Sequence, residues 1–247
     1  MHWTPDPHRP SLRDVAVANQ TLTRPGLLRS TVGQKVIMAV SGALLVLFLV
    51  AHMVGNLKIF FGAQTFDSYA HWLREIGEPM LPYSAFLWIQ RVGLVVAVVA
   101  HIWAATVLTI RAKKARPVKY AHRKPVQGSY AARTMRWGGV IIVLFVVYHI
   151  LDLTTRTINP VANTSKAHAA VAADFAPDRW YVAAFYALAV IALGFHLRHG
   201  IWSALQTLGV SNDRRERALK GVALAVAVVI VAGFLSVPFA VLTGLVK

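Results

Sequence analysis

Cysteine is absent from the chain, which excludes disulfides, thiolate-held iron–sulfur clusters and covalent c-type haem attachment within it. Acidic residues are scarce: 10 Asp and Glu stand against 26 Lys and Arg, for a net charge of +16. In a soluble protein that imbalance would suggest nucleic acid as a partner. Charged residues of both signs nevertheless make up only 15% of the chain and hydrophobic ones 56%, too apolar for an ordinary soluble domain of 247 residues. Also missing are internal repeats, low-complexity tracts, a Gly-rich phosphate loop, an HExxH pair and any Ser/His/Asp arrangement. No charged segment followed by a short apolar stretch and a small-residue cleavage site precedes Met38, so no cleaved signal peptide is expected.

The sequence is instead rich in long apolar runs, at about 34–60, 84–110, 136–157, 180–208 and 219–245. Each reaches the ~20 residues that a helix rising ~1.5 Å per residue needs to cross a ~30 Å hydrocarbon core. They are too long for the ~10-residue strands of a membrane barrel. The expected fold is therefore all-α: residues 1–33 form a polar arm, and 34–247 an integral membrane bundle of five transmembrane helices.

Sorting the basic residues by connection accounts for the charge. Arg9, Arg13, Arg24, Arg29 and Lys35 precede or begin the first run. Arg111, Lys113, Lys114, Arg116, Lys119, Arg123, Lys124, Arg133 and Arg136 join the second to the third, and Arg214, Arg215, Arg217 and Lys220 the fourth to the fifth. The remaining connections hold only Lys58 and Arg74, then Arg156, Lys166 and Arg179. By the positive-inside rule the N-terminus is expected in the cytoplasm and the C-terminus outside, with membrane lipid rather than nucleic acid as the partner of this charge.

Ionisable residues inside a bilayer are costly and usually face the bundle interior. His52, His101, His149 and His196 fall one in each of the first four runs, at separations of 49, 48 and 47 residues, and the fifth run has none. His52 and His149 each lie about eight residues from the outer ends of their helices, a depth of ~12 Å. His101 and His196 lie about ten and twelve residues from the inner ends, a depth of ~15–18 Å from the other face. Two layers of two histidines result. Facing imidazoles at equal depth can supply both axial nitrogens of a haem iron, so His52 with His149 and His101 with His196 are the candidate ligands of two stacked haems b enclosed by four helices. With both axial positions filled, the expected chemistry is one-electron transfer. A zinc site would gather three or four ligands at one level instead. His199, one turn beyond His196, is an alternative ligand. Small or β-branched residues flank the histidines in VAHMVGN, VVAHIWA, VVYHILD and LGFHLRHG, as close approach by a flat macrocycle favours, although small residues also pack bare helices together.

With these residues in hand, the chain resembles the di-haem cytochrome b subunits of succinate dehydrogenase and fumarate reductase (complex II), in particular the single-chain five-helix membrane anchor of many bacteria. The likeness covers about 30–245 and is carried by GQKVIMAVSGALLVLFLVAHMVGNLKIF, RVGLVVAVVAHIW, ARPVKY, YAARTMRWGGVIIVLFVVYHILD and FHLRHGIWSALQTLG. The resemblance implies that His52 and His149 hold the haem distal to the catalytic subunits, and His101 and His196 the proximal one. It implies a flavoprotein and an iron–sulfur subunit as cytoplasmic partners, electron transfer to quinone (menaquinone by family habit), a place in the tricarboxylic acid cycle and a bacterial plasma membrane location. The alternatives are a cytochrome b serving a hydrogenase or formate dehydrogenase, or a haem-free proton-coupled transporter.

Haem propionates need cationic partners when partly buried. Arg91 and Arg198 are the main candidates, with Lys58 and Arg156 near the outer layer and Lys35, Arg133 and Arg136 near the inner one. Trp72, Trp88, Trp137 and Trp180 fall near helix ends as an aromatic belt would. In the outer loop from Gly62 to Pro82, Asp67, His71, Glu75 and Glu78 recur at helical intervals, the solvated face of a short interfacial helix. His71, Glu75 and Glu78 are also the candidates for exchanging protons with a quinone headgroup. His2, His8, His122 and His168, in polar arms or loops, are assigned no role.

Overall fold

The computed structural model describes residues 26, 28–115, 128–162, 164–212 and 214–247, the side chains of 128–134 excepted. Most of the polar arm, with Arg9, Arg13 and Arg24, lies outside these residues, as do Arg116, Lys119, Arg123 and Lys124 of the basic connection.

The described residues are helical throughout their regular parts. Helix α1 spans Thr31–Leu57, α2 Ala63–Glu75, α3 Ala85–Lys114, α4 Gly128–His149, α5 Ala167–Asp174, α6 Trp180–Thr207 and α7 Glu216–Leu242. Five segments are long and apolar enough to cross a membrane: Thr31–Phe61, Ala85–Lys114, Met135–Thr154, Pro177–Thr207 and Glu216–Leu242. Helices suit that setting because hydrocarbon offers no partner for a free N–H or C=O, and a helix satisfies both within one segment. All five carry exposed large apolar side chains, among them Leu47, Val95, Leu144, Leu188 and Val229. So much apolar surface is untenable in water and ordinary against lipid. The four belt tryptophans, 54–73% exposed, sit on the outside near helix ends.

Short polar contacts set where the helices begin. The Ser30 hydroxyl caps α1 by accepting from the Gly33 N–H at 2.9 Å, which satisfies one of the orphan donors of the first turn. Buried Gln34 donates to the Leu28 carbonyl. The Arg111 guanidinium donates to the Arg29 carbonyl at 2.9 Å, so the end of α3 and the start of α1 share one end of the bundle, the basic end. At the opposite end α2 packs on α5, joined by the His168 N–H donating to Asp67 at 2.9 Å. There Ile59, Phe66, Phe175, Tyr186 and Val241 form the larger buried cluster.

The most extensive packing is between α6 and α7, then α1 with α3 and α4 with α6. Lipid tails are as apolar as leucine, so close van der Waals approach rather than hydrophobic burial holds such helices together, and small residues permit it. At the α6–α7 seam a Cβ on Gly194 would stand 2.6 Å from a Val231 methyl, and Ala189, Ala223 and Ala227 are buried. Neither α1 with α4 nor α3 with α6 belongs to the extensively packed pairs.

Candidate functional site: two facing histidine pairs

The four intramembrane histidines meet two by two across helix pairs outside the extensively packed ones. His52 on α1 and His149 on α4 have ring centroids 5.8 Å apart, and His101 on α3 and His196 on α6 have theirs 6.2 Å apart. Of the two histidines on α6, His196 faces His101, while the His199 ring lies against Trp202 at 6.1 Å. Among the described residues, nowhere do three or more His, Cys, Asp or Glu gather as a metal-holding group, so the imidazoles come only as pairs.

Hydrogen bonds orient two of the rings. His101 Nδ1 lies 3.2 Å from the Met38 carbonyl and 3.3 Å from the Ser41 hydroxyl, both on α1. A carbonyl can only accept, so Nδ1 carries the proton and Nε2 keeps its lone pair for a metal. Ser41 in turn donates to the Ile37 carbonyl at 2.7 Å. Gly42 makes room for this ring, since a Cβ there would stand 3.2 Å from His101 Cε1. In the other pair, the Tyr186 hydroxyl donates its proton to Asp152 Oδ2 at 2.8 Å. Its oxygen is then an acceptor for His149 Nδ1 at 3.4 Å, which again leaves Nε2 free. His52 is flanked by Phe48 at 5.3 Å and Phe234 at 5.7 Å, and His149 by Phe145 at 5.7 Å.

These pairs fit a bis-imidazole metal group. In each pair two imidazoles from different helices face each other, at 5.8 and 6.2 Å between ring centroids, which is the donor set that a bis-imidazole iron would need. His196 Nδ1 is buried and has no hydrogen-bond partner among the described residues, an orphaned ring nitrogen of the kind a metal-bound group would use.

The other expected residues are more dispersed. Arg91 is exposed and stacks on Trp88 at 4.9 Å, and Arg198 is exposed on α6. Lys58 lies over the Tyr69 ring at 5.1 Å. Arg156, at φ +59°, donates to the Thr164 carbonyl; burial lowers its pKa, as does Arg74 nearby, against the pull of Asp67. Lys35 and Arg136 are exposed at the basic end, and Arg136 lines an open recess there with Lys113, Trp137 and Val140. At the opposite end His71 and Glu75 pair at 3.3 Å on the exposed face of α2, and Glu78 is exposed just beyond it. A recess of about 530 Å³ beside them is lined by Gln64, Asp67, Ser68, Lys166 and His168, not by His71 or Glu75.

Sequence reasoning missed a buried polar cluster at this end. Asp152 and Asp174 are both 0% exposed, Asn159 and Tyr186 are buried with them, and Arg179 pairs with Asp174 at 3.0 Å. The signal was available in VVYHILD, where an acidic residue ends an apolar run. A π turn over Ile150–Thr154 continues α4 past His149, and such turns are common where a helix re-aims a functional side chain. His168, read as a loop residue without a role, is buried on α5 with its ring edge-on to Phe66.

Five helices long and apolar enough to cross a membrane, four of which bring histidines together in two facing pairs, define a multi-pass helical membrane protein. Residues 112–235 match the family of succinate dehydrogenase/fumarate reductase transmembrane subunits, and the chain belongs to that family. The family is a membrane subunit of the succinate dehydrogenase/fumarate reductase complex, so the chain associates with the other subunits of that complex. The matched stretch holds His149 and His196, while His52 and His101 precede it. No curated protein and no solved structure matches the chain.

Proposed function

We propose that the chain is the di-haem cytochrome b anchor of a bacterial succinate:quinone oxidoreductase, with His52 and His149 holding one haem b and His101 and His196 the other. The observation that carries this reading is the pair of facing imidazoles in each of two layers, at 5.8 and 6.2 Å, within a chain of this family. Bound there, the haems supply one-electron transfer between the iron–sulfur subunit and quinone, menaquinone by family habit. The protein's own part is to fix ring orientation through Met38, Ser41 and Tyr186, and to keep water from the interior. Family membership sets aside the hydrogenase or formate dehydrogenase reading and the transporter reading. A reduced-minus-oxidised spectrum of the purified complex, with pyridine haemochrome quantification, is expected to show b-type bands and two haems per chain. Absence of b-type bands would overturn the proposal.

The basic end faces the cytoplasm and the catalytic subunits in this reading, since positively charged connections are retained there. Quinone is reduced at the opposite, outer end, near the His52 and His149 layer. Quinone reduction needs protons, and His71, Glu75 and Glu78 are placed at that end as carriers. Substituting them should slow succinate-to-quinone turnover while succinate-to-dye turnover stays intact, because a dye accepts electrons without this site. Unchanged quinone reduction in all three variants, with a bound inhibitor found near Lys35 or Arg136, would place the site at the basic end instead.

A further inference from the structure

The buried acids behind His149 have no role in the electron path, and their surroundings are unusual. Asp152, in the π turn after α4, accepts from the Tyr186 hydroxyl at 2.8 Å and from Asn159 Nδ2 at 3.3 Å. Asp174, the last residue of α5, accepts from Arg179 Nη2 at 3.0 Å through Oδ1. Its other oxygen, Oδ2, is buried and has no N–H or O–H donor among the described residues, yet Asp174 lies within hydrogen-bonding reach of the Asp152 carboxyl. Two carboxylates cannot bond each other unless one carries a proton, and one arginine offsets only one negative charge. Burying two ionised carboxylates against a single cation would leave an unpaired charge at the membrane edge, so a shared proton is the less costly state.

Exposure grades along the cluster. The Arg179 side chain is 23% exposed, while Asp174 and Asp152 are 0% exposed. The polar chain thus runs from the aqueous end inward to Tyr186, on the edge of the His52 and His149 layer.

We propose that Asp152 and Asp174 form a one-proton carboxylate pair that exchanges protons with the aqueous phase at this end of the bundle and passes them to the quinone reduced there. The delivery half of this statement rests on the outer-end quinone reading above. Reduction of one quinone to quinol takes up two electrons, released by succinate oxidation, and two protons. The pair takes each proton from water at the Arg179 side, hands it on, and returns to its one-proton state.

The groups facing Asp174 support the assignment. Asp152 and Tyr148 approach from the α4 segment, Arg179 and Tyr186 from the α6 segment, with Tyr181 under the Arg179 guanidinium, and Asp67 of α2 binds the backbone of His168 on α5 itself. Burial first, and then Asp152, push the Asp174 carboxyl up from its ordinary 3.8 to about 7, against the opposing pull of Arg179. A raised acid favours the protonated fold, so this contribution to stability is full at low pH and is lost as pH rises from about 4 to about 7.

The test is infrared titration of the purified complex together with its pH–rate profile, for the native protein, Asp174→Asn and Asp174→Glu. The native complex should show a protonated-carboxyl C=O band that disappears as pH passes about 7. Asp174→Asn should lack the band and lose about tenfold or more in quinone reduction at alkaline pH, with dye reduction unchanged. Asp174→Glu should keep the band and most of the turnover, which separates loss of the acid from loss of the fold. A missing band, or one that survives Asp174→Asn, overturns the pair. A native band that Asp174→Asn removes, with the pH–rate profile of that variant unchanged, overturns delivery to quinone. Failure of the outer-end reading is a separate result, read from the His71, Glu75 and Glu78 variants and the inhibitor position, and it leaves the infrared band as it was.

Discussion

His52→Ala and His149→Ala should each remove the same haem from the purified complex, and His101→Ala and His196→Ala the other, each variant losing half of the total. The expectation follows from the pairing across α1 and α4 and across α3 and α6, with ring centroids 5.8 and 6.2 Å apart. Alanine at one position takes away one axial nitrogen and leaves the facing imidazole without a shared metal, so the group is released rather than shifted. Spectra of the four variants, with haem quantified per chain, read the result directly. Loss of one common haem in His52→Ala and His101→Ala would refute the layered pairing. His199→Ala should keep both haems, because the His199 ring turns toward Trp202 and not toward His101. A milder companion effect is expected from Ser41→Ala, which removes one of the two polar partners of His101 Nδ1 and leaves the Met38 carbonyl.

Cysteine-labelling should give a nearly all-or-none contrast between the two ends of the bundle. A cysteine at Ser129, at the start of α4 beside the basic connection, should resist an impermeant thiol reagent in intact cells, and one at Ser68 on α2 should react. The native chain has no cysteine, so any labelling reports the introduced residue alone. The two positions belong to opposite ends: Arg111 ties the end of α3 to the start of α1 at the basic end, while α2 packs on α5 at the other. The size of the effect comes from the membrane itself, which a charged reagent does not cross, and its direction from the lysines and arginines of the 111–136 connection. The reverse pattern would invert the bundle and move the catalytic subunits outside.

Several features of the fold and the site are legible in the amino-acid sequence. The five long helices follow from apolar length, because rise per residue is constant and every backbone group in hydrocarbon must bond within its own segment. The partnering of His52 with His149 and of His101 with His196 follows from depth, which needs only the distance from each helix end. The structure brings together those same pairs. The exposed His71 and Glu75 are also readable, as periodicity on a short helix, whereas Glu78, expected on the same helix, lies in the turn past its end because α2 stops at Glu75.

What the chain determined by itself is therefore everything that adds up along one axis: helix length, depth within the membrane and the sorting of charge between the two ends. Lateral relations needed the tertiary structure. Whether His196 or His199 faces His101 depends on how α6 is rotated by its contacts with α4 and α7, and a one-turn offset leaves both candidates on nearly the same face. The tautomer of His101 is decided by Met38 and Ser41, which belong to another helix. Asp152, in the π turn that extends α4, and Asp174, at the end of α5, come from separate segments into one buried polar cluster, which no reading along the chain brings together. Depth is a sum over successive residues and can be counted from sequence; facing is a property of packed surfaces, set by which small residues let which helices approach.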